Sequence, residues 1–172
     1  MSYPWQIAIR EQTGDRSVFC GGTILTSDWI ITAAHCVYDL RSADEIMVTA
    51  GHTKSSRTEA SREKNYQQRF VADIIVHRHW DEEEVVGDLA MLKLTKPFEF
   101  NPELRPICLP QNGFSISKEL PVQNERNGPV CIITGWGMTQ GTGDGNILQQ
   151  ATIPVLRLAI PITGIQLQLK LQ

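Results

Sequence analysis

Short runs rich in β-branched and aromatic residues alternate along this chain with turn-forming residues, and that alternation restricts the fold more than any other feature. Residues 17–20 and 23–25 flank Gly21-Gly22, and the polar turn Thr26-Ser27-Asp28 leads into Trp29-Ile30-Ile31. Further runs occupy residues 46–50, 70–76, 89–94 and 130–134. Near the start, Trp5, Ile7 and Ile9 alternate with Gln6 and Ala8, the pattern of a half-buried strand. Long amphipathic helical patterns are missing. Many short strands punctuated by turns imply an all-β barrel or sandwich.

The length of 172 residues suits one domain. A composition 41% hydrophobic and 20% charged can fill a core and is unlike that of a disordered polymer. The formal net charge of −3 argues against an electrostatic nucleic-acid partner. No apolar run approaches the roughly 20 residues of a membrane-spanning helix. The N-terminus has neither a basic region nor an apolar stretch, so it does not read as a secretory signal. Such a start fits a cytosolic protein, or a chain that begins after its targeting segment.

Residues 53–69 are polar and read as a solvated surface loop. Residues 111–129 carry Asn112-Gly113, Pro121 and Asn127-Gly128-Pro129 and read as an exposed connection between two subdomains. Residues 141–146 form another Gly-rich turn. The tail from Ile165 alternates strictly, with Ile165, Leu167, Leu169 and Leu171 on one face of a strand.

Four cysteines, Cys20, Cys36, Cys108 and Cys131, allow three pairings. They lack the Cys-x-x-Cys spacing of a zinc site. His35 follows Thr32-Ala33-Ala34 and precedes Cys36. A lone histidine is more often structural than catalytic, but the small residues before it let the backbone pack closely. A bond from Cys36 to Cys20 would anchor the ring as a preorganised base and stabilise the fold by roughly 3 kcal/mol. Asp88 heads the apolar run 89–94, where a carboxylate is costly unless paired. An imidazole N–H is its natural partner, and a simple turn aspartate is the plainer alternative. His77 and His79, read as strand residues beside the acidic run 81–84, would share one face as two metal ligands; a solvated loop accounts for them as well. The region 51–69 lacks the dense carboxylates of a calcium loop.

Taken together, Thr32-Ala33-Ala34-His35-Cys36, Cys20-Gly21-Gly22-Thr23, Gly87-Asp88-Leu89-Ala90-Met91-Leu92-Lys93-Leu94, Pro106-Ile107-Cys108-Leu109-Pro110 and Thr134-Gly135-Trp136-Gly137 resemble the trypsin-like (chymotrypsin-family) serine proteases, in the family's order. Tyr3-Pro4-Trp5-Gln6 resembles the first strand after the activation site. The resemblance spans roughly residues 3–156.

It implies a trypsin-like double antiparallel Greek-key barrel, the first barrel essentially complete and the second only partial. It assigns His35 as general base, Asp88 as its orienting partner and Cys20–Cys36 as the disulfide behind them. Residues 1–156 would be the N-terminal part of the protease domain and 157–172 an unrelated or aberrant tail. The full-length parent would be a secreted serine-type endopeptidase acting on proteins or peptides and answering to protease inhibitors, without a cofactor. The family's Gly-Asp-Ser-Gly-Gly segment does not occur in this sequence, and no serine follows Ser117. The chain therefore carries the histidine and aspartate without a nucleophile. Its simplest reading is a protease fragment, inactive as written, and the alternative is a non-catalytic protease-like binding module. Cys108 and Cys131 would lack their usual mates, leaving them to pair with each other or to stay free.

Overall fold

The strand runs anticipated above close into a barrel. In the computed structural model, which describes residues 3–12, 18–111, 130–139 and 143–154, six strands form it: β1 (Gln6–Glu11), β2 (Cys20–Ile24), β3 (Trp29–Thr32), β4 (Ile46–Ala50), β5 (Gln67–Val76) and β6 (Ala90–Leu94). Their order around the barrel is β1-β2-β3-β6-β5-β4, with β4 returning to β1, and every pairing is antiparallel. Closure removes the exposed strand edges that an open sheet would present. Two further strands, β7 (Val130–Gly135) and β8 (Gln149–Pro154), pair antiparallel as a separate two-stranded sheet. The described fold is thus all-β, with a complete first barrel and a second sheet of two strands.

The barrel interior is aliphatic. The register sets Ile9 opposite Val48, Ile24 opposite Ile30, and Ile30 opposite Leu92, all within one buried cluster. Branched side chains of this kind fill a small barrel without leaving a channel.

Three local expectations need correction. β1 is buried on both faces, not one: Gln6, Ala8 and Arg10 are as inaccessible as Ile7 and Ile9. The cause is tertiary, because the outer face of β1 is covered. Thr134 of β7 donates to Gln6 Oε1 at 2.5 Å, and Arg10 Nε donates to Thr49 Oγ1 at 3.1 Å.

Gly21-Gly22 does not break a strand but lies inside β2. A Cβ on Gly22 would sit 2.8 Å from the Ile31 carbonyl oxygen and 2.9 Å from Ile7 Cδ1. The glycine is there for close packing, as isolated strand glycines often are.

The polar stretch 53–69 is not all surface loop. It contains a one-turn helix, α1 (Arg57–Ala60), whose N-cap Ser56 accepts a hydrogen bond from the Glu59 amide, and it ends in the first residues of β5. Glu63 accepts the backbone N–H groups of Thr53 at 2.8 Å and Lys54 at 2.9 Å, so the segment is clamped down. The connection through 112–129 and the boundary expected after Leu156 lie outside the described residues. No helix among the described residues is long and apolar enough to cross a membrane.

Candidate active site

Barrel topology brings His35 and Asp88 together. β3 and β6 are antiparallel neighbours, with Thr32, the last residue of β3, opposite Ala90, the first of β6. His35 lies three residues past that end of β3 and Asp88 two residues before that start of β6. They are 53 residues apart in sequence and adjacent in space.

Each is held by its own local structure. His35 sits in a single 3-10 turn, Ala34–Cys36, with Ala34 wholly buried beneath it. Thr32 Oγ1 donates to the Gly21 carbonyl at 2.8 Å, tying the strand end to β2. Cys36 is disulfide-bonded to Cys20 at the start of β2. Asp88 follows Gly87, whose φ is +68° and whose absent Cβ would lie 2.6 Å from the His79 carbonyl oxygen. Left-handed backbone with no room for a side chain calls for glycine.

The carboxylate of Asp88 grips one residue twice. Its Oδ1 accepts the backbone N–H of His35 at 2.9 Å, and its Oδ2 lies 2.8 Å from His35 Nδ1. A carboxylate there accepts the Nδ1 proton, which leaves the Nε2 lone pair available. The His35 side chain is 54% exposed and that of Asp88 23%. The pair therefore combines a fixed tautomer with an accessible ring. His35 also lines an open cleft of about 560 Å³, with Glu11, Phe19, Asp39 and Glu45 on its other walls and the disulfide beside the ring.

The sulfurs of Cys20 and Cys36 and a ring nitrogen of His35 lie within 4.8 Å of one another. Both sulfurs are committed to the disulfide, so the trio offers no thiolate to a metal. His77 and His79 do not occupy the strand positions that the two-ligand reading requires, and lie as the loop reading has them. β5 ends at Val76, and the two histidines lie in the turn that follows. There His77 Nδ1 accepts the His79 amide at 3.4 Å, and Arg78 Nε donates to His79 Nε2 at 3.0 Å. Cys108 and Cys131 are exposed and unpaired with each other.

A second histidine, not singled out by its sequence, is buried at the junction of the barrel and the second sheet. His52 is 1% exposed. Its Nδ1 lies 2.9 Å from the Lys54 carbonyl oxygen, which can only accept, so the proton resides on Nδ1. Thr49 Oγ1, 2.9 Å from Nε2, then donates to it while accepting from Arg10 Nε. Burial, reinforced by the charge of Arg10, lowers the His52 pKa from 6.5 to about 4.

The ring of His52 stacks on that of Trp136 at a centroid distance of 5.3 Å. Trp136 Nε1 donates to the Thr53 carbonyl at 2.8 Å, and the Leu148 amide donates to the same oxygen at 2.7 Å. His52 thus helps dock the second sheet onto the barrel. No local pattern around Ala50-Gly51-His52 signals this, since every partner but Lys54 and Thr49 is distant in sequence.

The closed antiparallel barrel, with a histidine past one strand and an aspartate before its neighbour, defines the class of the trypsin-like fold. The family model described as Trypsin matches residues 1–163, and the chain belongs to that family. It is 33% identical over 175 residues to ovochymase-2 of Mus musculus, an alignment covering 95% of this chain and 26% of that protein. It is 29% identical over 163 residues to serine protease grass of Drosophila melanogaster, covering 90% of this chain and 41% of that one. The chain therefore spans well under half the length of these relatives.

Proposed function

We propose that this chain is the base-bearing part of a secreted trypsin-like serine endopeptidase, with His35 as general base and Asp88 as the residue that orients it. The observation that carries the reading is the double contact of the Asp88 carboxylate with the amide and Nδ1 of His35. With Nδ1 holding its proton toward Asp88, Nε2 is the atom that takes the proton of an attacking hydroxyl and returns it to the leaving amine. Asp88 then stabilises the imidazolium formed in between. The Cys20–Cys36 bond keeps the histidine turn from shifting against β2 and suits an oxidising compartment. Substrates are peptide bonds of proteins, and protease inhibitors are the expected partners.

Hydrolysis by this route needs a serine that the 172 residues do not place in the family's setting. Loss of that serine costs on the order of 10⁶ in kcat in a related triad. This chain on its own is accordingly inert toward peptides. A fluorophosphonate probe tests the assignment, because labelling requires an activated serine. The 172-residue chain stays unlabelled, and labelling of it refutes the reading. A longer form isolated from the source, if it continues into Gly-Asp-Ser-Gly-Gly, is labelled, and His35→Ala abolishes that labelling.

The closed barrel with its own aliphatic core favours a second reading, a non-catalytic binding module. Peptide mass spectrometry on the natural protein separates the two. A peptide covering residues 158–170 supports the module, whereas peptides running on into the serine segment support the protease.

A further inference from the structure

The second sheet docks on the barrel chiefly along one short segment, residues 52–55. The Thr53 carbonyl accepts both Trp136 Nε1 and the Leu148 amide, and the Ser55 amide donates to the Asn146 carbonyl at 2.9 Å. Lys54 and Ile147 form an antiparallel bridge beside them. Thr134 with Gln6 and Gln150 with Tyr3 add two side-chain contacts. The backbone of the docking segment is closed by His52, whose Nδ1–H meets the Lys54 carbonyl two residues on. The same ring lies against Trp136 and Tyr66, at centroid distances of 5.3 and 5.6 Å. One neutral side chain therefore shapes the segment and touches what docks on it.

We infer that His52 is an acid-released latch: while neutral it keeps the β7–β8 sheet on the barrel, and once protonated on Nε2 it lets that sheet go while the barrel stays closed. The groups around the ring set the direction. Arg10 reaches it from β1 through Thr49, and its charge opposes an imidazolium. Glu63 favours one, but its carboxylate is already engaged by the Thr53 and Lys54 amides. Lys54 meets the ring through its carbonyl, Tyr66 through a neutral ring, and Arg57 of α1 donates to Gln68. β7 and β8 contain no acidic or basic residue, and Asp144 in the turn between them caps the Asn146 amide. A charged ring at this depth is costly without an anion to pair with it, and release of the sheet bares it to water. The barrel does not need the latch, because its aliphatic cluster and its closed strand pairings draw on no residue of β7 or β8. The two-stranded sheet, by contrast, is marginal alone. With the docked ring titrating at about 4 against 6.5 for a free one, release grows easier as pH falls between those values, by at most about 300-fold.

The test is hydrogen exchange by NMR on the full chain from pH 7 to pH 4, corrected for the intrinsic rate at each pH, with His52→Phe and His52→Gln alongside. The Leu148 and Ser55 amides report the docked segment, and the amides of β3 and β6 report the barrel. Leu148 and Ser55 should be at least about tenfold less protected than the barrel at each pH, and should lose at least about tenfold more toward pH 4. Both variants should abolish that loss. Equal protection of the two sets means that the sheet leaves only when the barrel unfolds, and overturns the inference. So does protection of Leu148 and Ser55 that ignores pH, or a loss that persists in either variant. Protection that rises toward pH 4 also overturns it, since the face of Trp136 would then be holding the imidazolium. If neither variant folds, the ring of His52 in the unaltered chain decides. Its NMR titration and the loss of protection share one pH range under the latch, and separate ranges refute it.

Discussion

Acidification should weaken this protein through His52, and the size of the effect follows from where the ring is held. The folded ring is 1% exposed and keeps its proton on Nδ1 toward the Lys54 carbonyl, while Thr49 donates to Nε2. A second proton would have to displace the Thr49 hydroxyl hydrogen and place a charge near Arg10; Glu63 opposes that effect only in part. The pKa accordingly falls from 6.5 to about 4. A depressed folded pKa means that between those two values the unfolded chain binds a proton the folded chain excludes. Stability is then complete above about pH 6.5, declines as pH falls, and levels off below about pH 4. A tenfold difference in proton affinity is worth ~1.4 kcal/mol, so the whole decline attributable to His52 is about 3 kcal/mol.

Urea unfolding of the disulfide-intact chain at pH 7, 6, 5 and 4, alongside His52→Phe, isolates this contribution. Phenylalanine keeps a ring to stack on Trp136 but cannot titrate. It leaves the Thr49 hydroxyl and Lys54 carbonyl without the imidazole, which costs about 1–3 kcal/mol at pH 7. The stability gap between the two proteins should shrink, and then reverse or vanish, as pH falls toward 4. Curves that stay parallel from pH 7 to pH 4 would refute the burial argument.

Three further outcomes follow from the described contacts. Gly22→Ala places a methyl 2.8 Å from the Ile31 carbonyl oxygen and 2.9 Å from Ile7 Cδ1, and should lower stability by roughly 1–3 kcal/mol in urea titrations. Replacing both Cys20 and Cys36 by serine should cost about 3 kcal/mol in the same assay, and should broaden the NMR resonances of His35 as its turn loosens from β2. In a form of the protein that contains the serine segment, Asp88→Asn should reduce kcat by on the order of 10⁴, with the barrel's thermal unfolding little changed; a variant within tenfold of the parent would show that Asp88 is not the orienting group.

Much of the fold was legible because it is written in short-range patterns. The runs at 46–50, 70–76 and 89–94 fall within or beside β4, β5 and β6, since β-branched side chains between turn residues have few other conformations open to them. Gly21-Gly22 misled because glycine has two uses in a strand, as a breaker and as a space for close approach. Only the Ile31 carbonyl and the Ile7 side chain across the sheet distinguish them. The stretch 53–69 misled because its polar residues bind one another and the backbone, as Glu63 does, in place of water.

The sequence alone therefore indicated most of the strands and the family, and singled out His35 and Asp88 as candidates, because those depend on residue types in local order; β8 and the continuity of β2 through Gly21-Gly22 were not legible in it. Tertiary structure decided the rest. Closure of β3 against β6 set the 2.8 Å contact between Nδ1 and the carboxylate. Docking of the second sheet buried the outer face of β1 and the ring of His52. Burial and partner geometry depend on chain segments tens of residues apart, and no local pattern encodes which of them will meet.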